Sequence, residues 1–147
     1  MNKVRGTNYY TNNHSCFVLT YHLVLVTKYR HPVLKDEIQD EVYNITEELL
    51  QNNGCRMLAI NGESDHMHVL FEASPEVHLC EIIRNIKTIT ARTMRRKYAD
   101  LLRNYYYKPY FWSDSYFVST VGSITKNTVN EYIKRQGTRT RFTPEYP

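Results

Sequence analysis

The chain predicts an α+β fold, an antiparallel sheet with two helices packed on one face, and three observations carry that expectation. Its 147 residues suffice for one domain with a real core and not for two comfortable ones. Apolar residues alternate with a period of two in some stretches and recur at three- and four-residue steps in others, the marks of half-buried strands and amphipathic helices. These stretches follow in the order strand, helix, strand, strand, helix, strand, helix, whose first six members form the split βαβ unit of ferredoxin-like sheets.

Residues 1–14 are polar and lack an apolar period, which predicts an arm whose Lys3 and Arg5 could touch phosphate. Cys16 to Lys28 is rich in β-branched and aromatic residues and reads as one long strand. Phe17, Leu19, Tyr21, Leu23 and Leu25 share one face, and Val18, Thr20, His22, Val24 and Val26 the other. Both faces are apolar enough for a central strand, so His22 reads first as a core histidine and second as a site residue. Pro32 ends the strand, having no N–H to give the ladder.

From Lys35 to about Asn52, Ile38, Val42, Ile45 and Leu49 recur at helical spacing, with Asp36, Glu37, Asp40 and Glu41 in the first turns, where the helix dipole favours acids. Asn52-Asn53-Gly54 supplies the left-handed stop. Cys55 to Gly62 and His66 to Ala73 read as the two strands of a hairpin joined through Glu63-Ser64-Asp65. His78 to about Arg103 carries Leu79, Ile82, Ile83, Ile86, Ile89, Met94, Tyr98 and Leu101 at helical spacing. Its opposite face holds Arg84, Lys87, Arg92, Arg95, Arg96 and Lys97, which is either a solvated face or a phosphate-facing stripe. Tyr110 to Val121 is the final strand, and Gly122 and Ser123 lead into a last helix, Thr125 to Gln136, ended by Gly137. The expected organisation is one domain over 1–147, with a core of about 15–137 and arms at 1–14 and 138–147.

A formal net charge of +4 and a pI near 8.9 permit a polyanion partner without requiring one. The three cysteines, Cys16, Cys55 and Cys80, are odd in number and lack Cys-x-x-Cys spacing. That argues against a disulfide framework and a zinc knuckle, and for a reducing, cytoplasmic setting. No leader pattern or long apolar run is visible, so neither export nor a membrane span is expected. Thirteen tyrosines is a high number, and some could stack on unpaired bases.

The chemistry concentrates in Asp65-His66-Met67-His68. In a strand His66 and His68 point the same way, roughly 7 Å apart, and can grip one metal ion if other groups close the site. The pair reads equally as two structural histidines. Far along the chain, Tyr132 and Gln136 stand four residues apart and share a helix face. A tyrosine hydroxyl can act as a nucleophile, and a divalent ion beside it would polarise a phosphodiester and orient it for in-line attack. Gln136 could complete the ligand set while Tyr132 lies beside the same phosphate. Oxygen and imidazole ligands with phosphate suit Mg²⁺ or Mn²⁺.

These residues, with Tyr21-His22-Leu23-Val24-Leu25-Val26-Thr27-Lys28-Tyr29-Arg30, Trp112-Ser113 and Ser115-Tyr116-Phe117-Val118-Ser119-Thr120-Val121-Gly122, carry a resemblance over nearly the whole chain. It resembles the single-tyrosine HUH transposases of the smallest bacterial and archaeal insertion sequences. The resemblance implies that Tyr132 is the nucleophile, forming a 5′-phosphotyrosine and leaving a free 3′-hydroxyl, and that His66, His68 and Gln136 bind the metal. Related relaxases and replication initiators use a third histidine where this chain has Gln136. It further implies a homodimer that recognises hairpins at element ends in single-stranded DNA, then cuts and rejoins without a nucleotide cofactor. The tyrosine helix would hinge at Gly122-Ser123, acting in its own subunit or the other. Lys28, Arg30, Arg84, Lys87, Arg92 and Arg95 are candidates for DNA contact, since phosphates need cations. The alternative is a non-catalytic module that binds a nucleic-acid hairpin on the same sheet with the tyrosine idle.

Overall fold

The computed structural model describes residues 1–7, 9–122 and 141–142. At its centre is an antiparallel sheet of five strands in the order β7-β4-β6-β5-β8, where β4 is Thr20–Val26, β5 Arg56–Glu63, β6 His66–Glu72, β7 Phe117–Val121 and β8 Arg141–Phe142. Without β8 this is the split βαβ order, so the α+β ferredoxin-like expectation holds. Two helices, α1 (Asp36–Asn52) and α2 (Leu79–Lys97), cover one face. Ile38, Val42 and Leu50 of α1 and Ile82, Ile83, Ile86 and Met94 of α2 close a core against Leu23, Leu25, Ile60, Met67, Val69 and Phe71 of the sheet. No helix among the described residues is long and apolar enough to cross a membrane.

Local chemistry sets the boundaries. Helix α1 begins with Asp36 and Glu37, and Asn53 Nδ2 donates to the Leu49 carbonyl at 2.7 Å near its end. Gly54 follows at φ +75°, a conformation open to glycine, and turns the chain into β5. The β5–β6 connection is shorter than the sequence suggests: Glu63 pairs with His66 as the last rung, leaving Ser64-Asp65 as a two-residue turn. Gly62 is required there, because a Cβ would clash with the His66 carbonyl oxygen and lie 3.0 Å from its carbonyl carbon.

Other expectations are corrected. The single strand over Cys16 to Lys28 is two: Cys16–Phe17 (β3) pairs with Tyr10–Thr11 (β2), which pairs with Asn2–Lys3 (β1), while β4 alone enters the main sheet. The amino-terminal segment is therefore folded, with Tyr10 only 3% exposed. Arg56 donates to the Tyr10 hydroxyl at 3.0 Å, and burial and a hydrogen bond to Glu72 push Tyr10 up to about 12. The second helix stops at Tyr98, and a short turn of helix, α3 (Ala99–Leu102), follows. The final strand begins only at Phe117; upstream, Trp112 makes an isolated bridge to Thr27 and donates its indole N–H to Thr90 at 2.8 Å. Arg141–Phe142, expected in the tail, pairs with the β5 edge. The expected helix Thr125 to Gln136 lies outside the described residues.

Candidate metal and nucleic-acid site

The face of the sheet opposite the helices carries the candidate histidines. Register places Val26 opposite His66, Val24 opposite His68 and His22 opposite Leu70, so His22, His66 and His68 share this face. Strand β5 adds Glu63 opposite His66 and Asn61 opposite His68. The rings of His66 and His68 lie edge to face with centroids 5.0 Å apart. Those of His22 and His68 are stacked at 5.2 Å.

Each histidine of the pair is oriented through the same ring nitrogen. His66 Nδ1 lies 2.7 Å from Asp65 Oδ1, and His68 Nδ1 lies 3.0 Å from His22 Nε2. Asp65 is steadied in turn by Arg30, whose Nε donates to Oδ2 at 3.1 Å. With Nδ1 engaged, Nε2 is the nitrogen either ring would give to a metal, the arrangement in which an outer carboxylate or imidazole fixes tautomer and ring angle. The donor chemistry therefore fits a divalent ion. Among the described residues, Glu63, Asp65 and His66 also bring one ligand atom each within 4.8 Å of one another. Both Asp65 oxygens are engaged, so Asp65 suits an orienting role and Glu63 a ligand role beside His66.

Electrostatics favour ligation near neutral pH. Burial, then the neighbouring His22 and His66, lowers His68 to about 4, and burial lowers His22 as well. Both rings are thus neutral and able to give a lone pair. Burial alone would raise Asp65, but hydrogen bonds from His66 and Arg30 outweigh it and hold the carboxyl below its ordinary range.

The basic candidates divide by what they hold. Lys28 is mostly covered, 3.3 Å from Asp114 and wedged between the rings of Tyr29 and Tyr110. Lys87 donates to the carbonyls of Ser113 and Asp114, and Arg95 to that of Tyr110, so both tie the 110–114 segment to α2. Arg84 and Arg92 are exposed on α2, and Arg30 is exposed beside Asp65. Tyr132 and Gln136 lie outside the described residues. Two participants escaped the sequence reading in part. His22 reads from sequence first as a core histidine and only second as a site residue, though its place on the face of Val24 and Val26 is legible there; Glu63 reads as part of the connection, whereas the two-residue turn sets it opposite His66.

The model of the family described as "Transposase IS200 like" matches residues 15–136. The ISDra2 transposase TnpA of Deinococcus radiodurans is 30% identical over 120 residues, 82% of this chain and 85% of that protein. The transposase for insertion sequence element IS200 of Salmonella typhimurium is 28% identical over 123 residues, 84% of this chain and 80% of that one. Among solved structures, a Deinococcus radiodurans R1 protein provisionally assigned as a transposase superposes with a TM-score of 0.67 at 32% identity, covering 92% of this chain and 98% of its own. A REP-associated tyrosine transposase bound to a REP hairpin shares the fold, with a TM-score of 0.54 at 13% identity over 92% of this chain and 68% of its own.

Proposed function

The chain belongs to the IS200-like transposase family, and from that premise we propose that it is a metal-dependent endonuclease and strand transferase acting on single-stranded DNA at hairpin-marked element ends. The observation that carries this reading is the His66–His68 pair with both Nδ1 atoms engaged, by Asp65 and by His22. A bound Mg²⁺ or Mn²⁺ would polarise the scissile phosphate and neutralise charge developing on its oxygens. His66 and His68 would hold that ion, with Gln136 as third ligand and Glu63, which has a ligand atom within 4.8 Å of one of His66, as an acidic donor. The Tyr132 hydroxyl attacks phosphorus: a P–Oη bond forms, the P–O3′ bond breaks, the phenol gives up its proton and the departing 3′ oxygen takes one. The phosphotyrosine keeps the bond's energy, so a later 3′-hydroxyl rejoins the strand without a nucleotide cofactor.

The protein works as a homodimer in the cytoplasm, with the exposed cations of α2 meeting the phosphates of the folded ends. The test is to incubate protein and Mg²⁺ or Mn²⁺ with single strands carrying candidate ends and to look for a covalent protein–DNA adduct. An adduct lost in Tyr132→Phe is expected. No adduct with any divalent metal, or one that survives Tyr132→Phe, overturns the assignment and leaves a hairpin-binding module. His66→Ala abolishes cleavage while hairpin binding, carried by phosphate contacts, stays within about tenfold; intact cleavage contradicts the metal role.

A further inference from the structure

Between Thr27 and His31 the chain makes a 3-10 turn, Lys28–Arg30, in which Tyr29 has φ 58° and Arg30 φ 53°. Two consecutive residues with side chains in the left-handed region are uncommon, and for a bulky aromatic the conformation is an outlier. Such strain persists where surroundings enforce it, and here they do: Lys28 N–H donates to the Phe111 carbonyl at 2.8 Å, and the Tyr106 hydroxyl to the Lys28 carbonyl at 2.7 Å. The product of that enforcement is a ring held out in solvent, since Tyr29 is 65% exposed. The Lys28 ammonium, 5.4 Å from its centroid, and edge contacts with Tyr110 and His31 fix its attitude.

We propose that Tyr29 and Arg30 form a stacking subsite for one unpaired base of single-stranded DNA and its phosphate, adjoining the His66 site. The inference rests on the functional reading above. The Tyr29 ring supplies a flat apolar surface at low entropic cost, which suits a base of any identity. Arg30 uses Nε on Asp65 and keeps its terminal amino groups on a side chain 64% exposed, available to a phosphate oxygen. Asp65 joins the subsite to the metal pair, accepting from Arg30 through one oxygen and meeting His66 Nδ1 through the other. Thr27 N–H also donates to the Asp65 carbonyl at 3.0 Å, which ties the turn to the site. A strand with a phosphate at His66 thereby carries a neighbouring nucleotide over Tyr29.

The test measures binding without chemistry: anisotropy of a fluorescein-labelled mixed-sequence single strand in EDTA, against the same strand made abasic. Tyr29→Ala weakens the normal strand by about tenfold and leaves the abasic strand unchanged, and Tyr29→Trp restores the difference. Arg30→Gln weakens both strands and flattens the salt dependence. Equal affinity of Tyr29→Ala and wild type for the normal strand overturns the subsite, as does an equal loss on both strands. A change in oligomeric state without a change in affinity also overturns it and marks Tyr29 as a contact between copies. Should wild type bind neither strand, the functional reading falls with it. Adduct formation at candidate ends together with an indifferent Tyr29→Ala sinks the subsite alone.

Discussion

Strand β6 meets two environments. On the helix side Met67, Val69 and Phe71 have no exposed surface. On the other side His66 and His68 keep part of theirs and meet Asp65 and His22 through hydrogen bonds. The first face is held by apolar area, which is non-directional and forgiving of shape-conserving change. The second is held by directional bonds between polar groups, and the burial that lowers His68 is a cost of assembling it. One face therefore keeps the sheet folded while the other aims two ring nitrogens, and substitutions on the two should fail in different ways.

The largest expected effect is on the helix face. Phe71→Ala removes a ring packed against Tyr21 and should destabilise by about 3–5 kcal/mol. Urea unfolding followed by circular dichroism checks it. The folded fraction keeps its Mn²⁺ affinity if the faces are energetically separate, and loss of metal binding at full folding breaks the comparison.

Gly62→Ala probes the backbone that both faces share. A methyl group there meets the His66 carbonyl, so the turn must shift, at about 1–3 kcal/mol. Because the displaced residue is itself a candidate ligand, Mn²⁺ affinity should fall as well, unlike in Phe71→Ala. Calorimetric titration with Mn²⁺ alongside urea unfolding separates the two losses; a destabilised protein of unchanged affinity means His66 does not ligate.

How far these features could be read from sequence depends on whether their cause is local. The alternation of Leu23 and Leu25 with His22 and Val24 needs no partner to be seen, and neither does the helical spacing of Ile82, Ile83 and Ile86. The fold, the His66–His68 pair and its shared face were legible for that reason. The contact of His22 with His68 spans 46 positions and exists only because Val24 and His68 are in register. Tyr10 is buried by a pairing with Phe17 and by Arg56 and Glu72, none of which leaves a periodic trace in residues 1–14. Glu63 needed the turn length, which a run such as Glu63-Ser64-Asp65 leaves open by one residue.

His22→Asn sharpens the contrast within the open face, since the change leaves both proposed histidine ligands in place. If His22 acts by orienting His68, Mn²⁺ affinity falls by about tenfold with little change in urea stability. His22→Gln, with a longer reach to Nδ1 of His68, should recover part of it. Unchanged affinity in His22→Asn returns His22 to a purely structural role.

The smallest effect is a pH dependence confined to the open face. In the metal-free protein His68 is lowered from the ordinary 6.5 to about 4 by burial and by His22 and His66. Between those values the unfolded chain binds a proton at this residue and the folded chain does not, so stability falls as pH drops from 6.5 towards 4 and is fully present above 6.5. His22, lowered by burial, adds to the same slope. Thermal melts in EDTA at pH 7 and pH 5 should show His68→Asn losing about 2–4 °C less than wild type over that interval. Met67→Leu, on the face whose strands carry no histidine or carboxyl, should keep the wild-type slope whatever it does to the melting temperature. Coincident slopes for wild type and His68→Asn would mean that folding leaves the proton affinity of His68 unchanged, and the open face would then lose its claim to present neutral imidazole to a metal below pH 6.5.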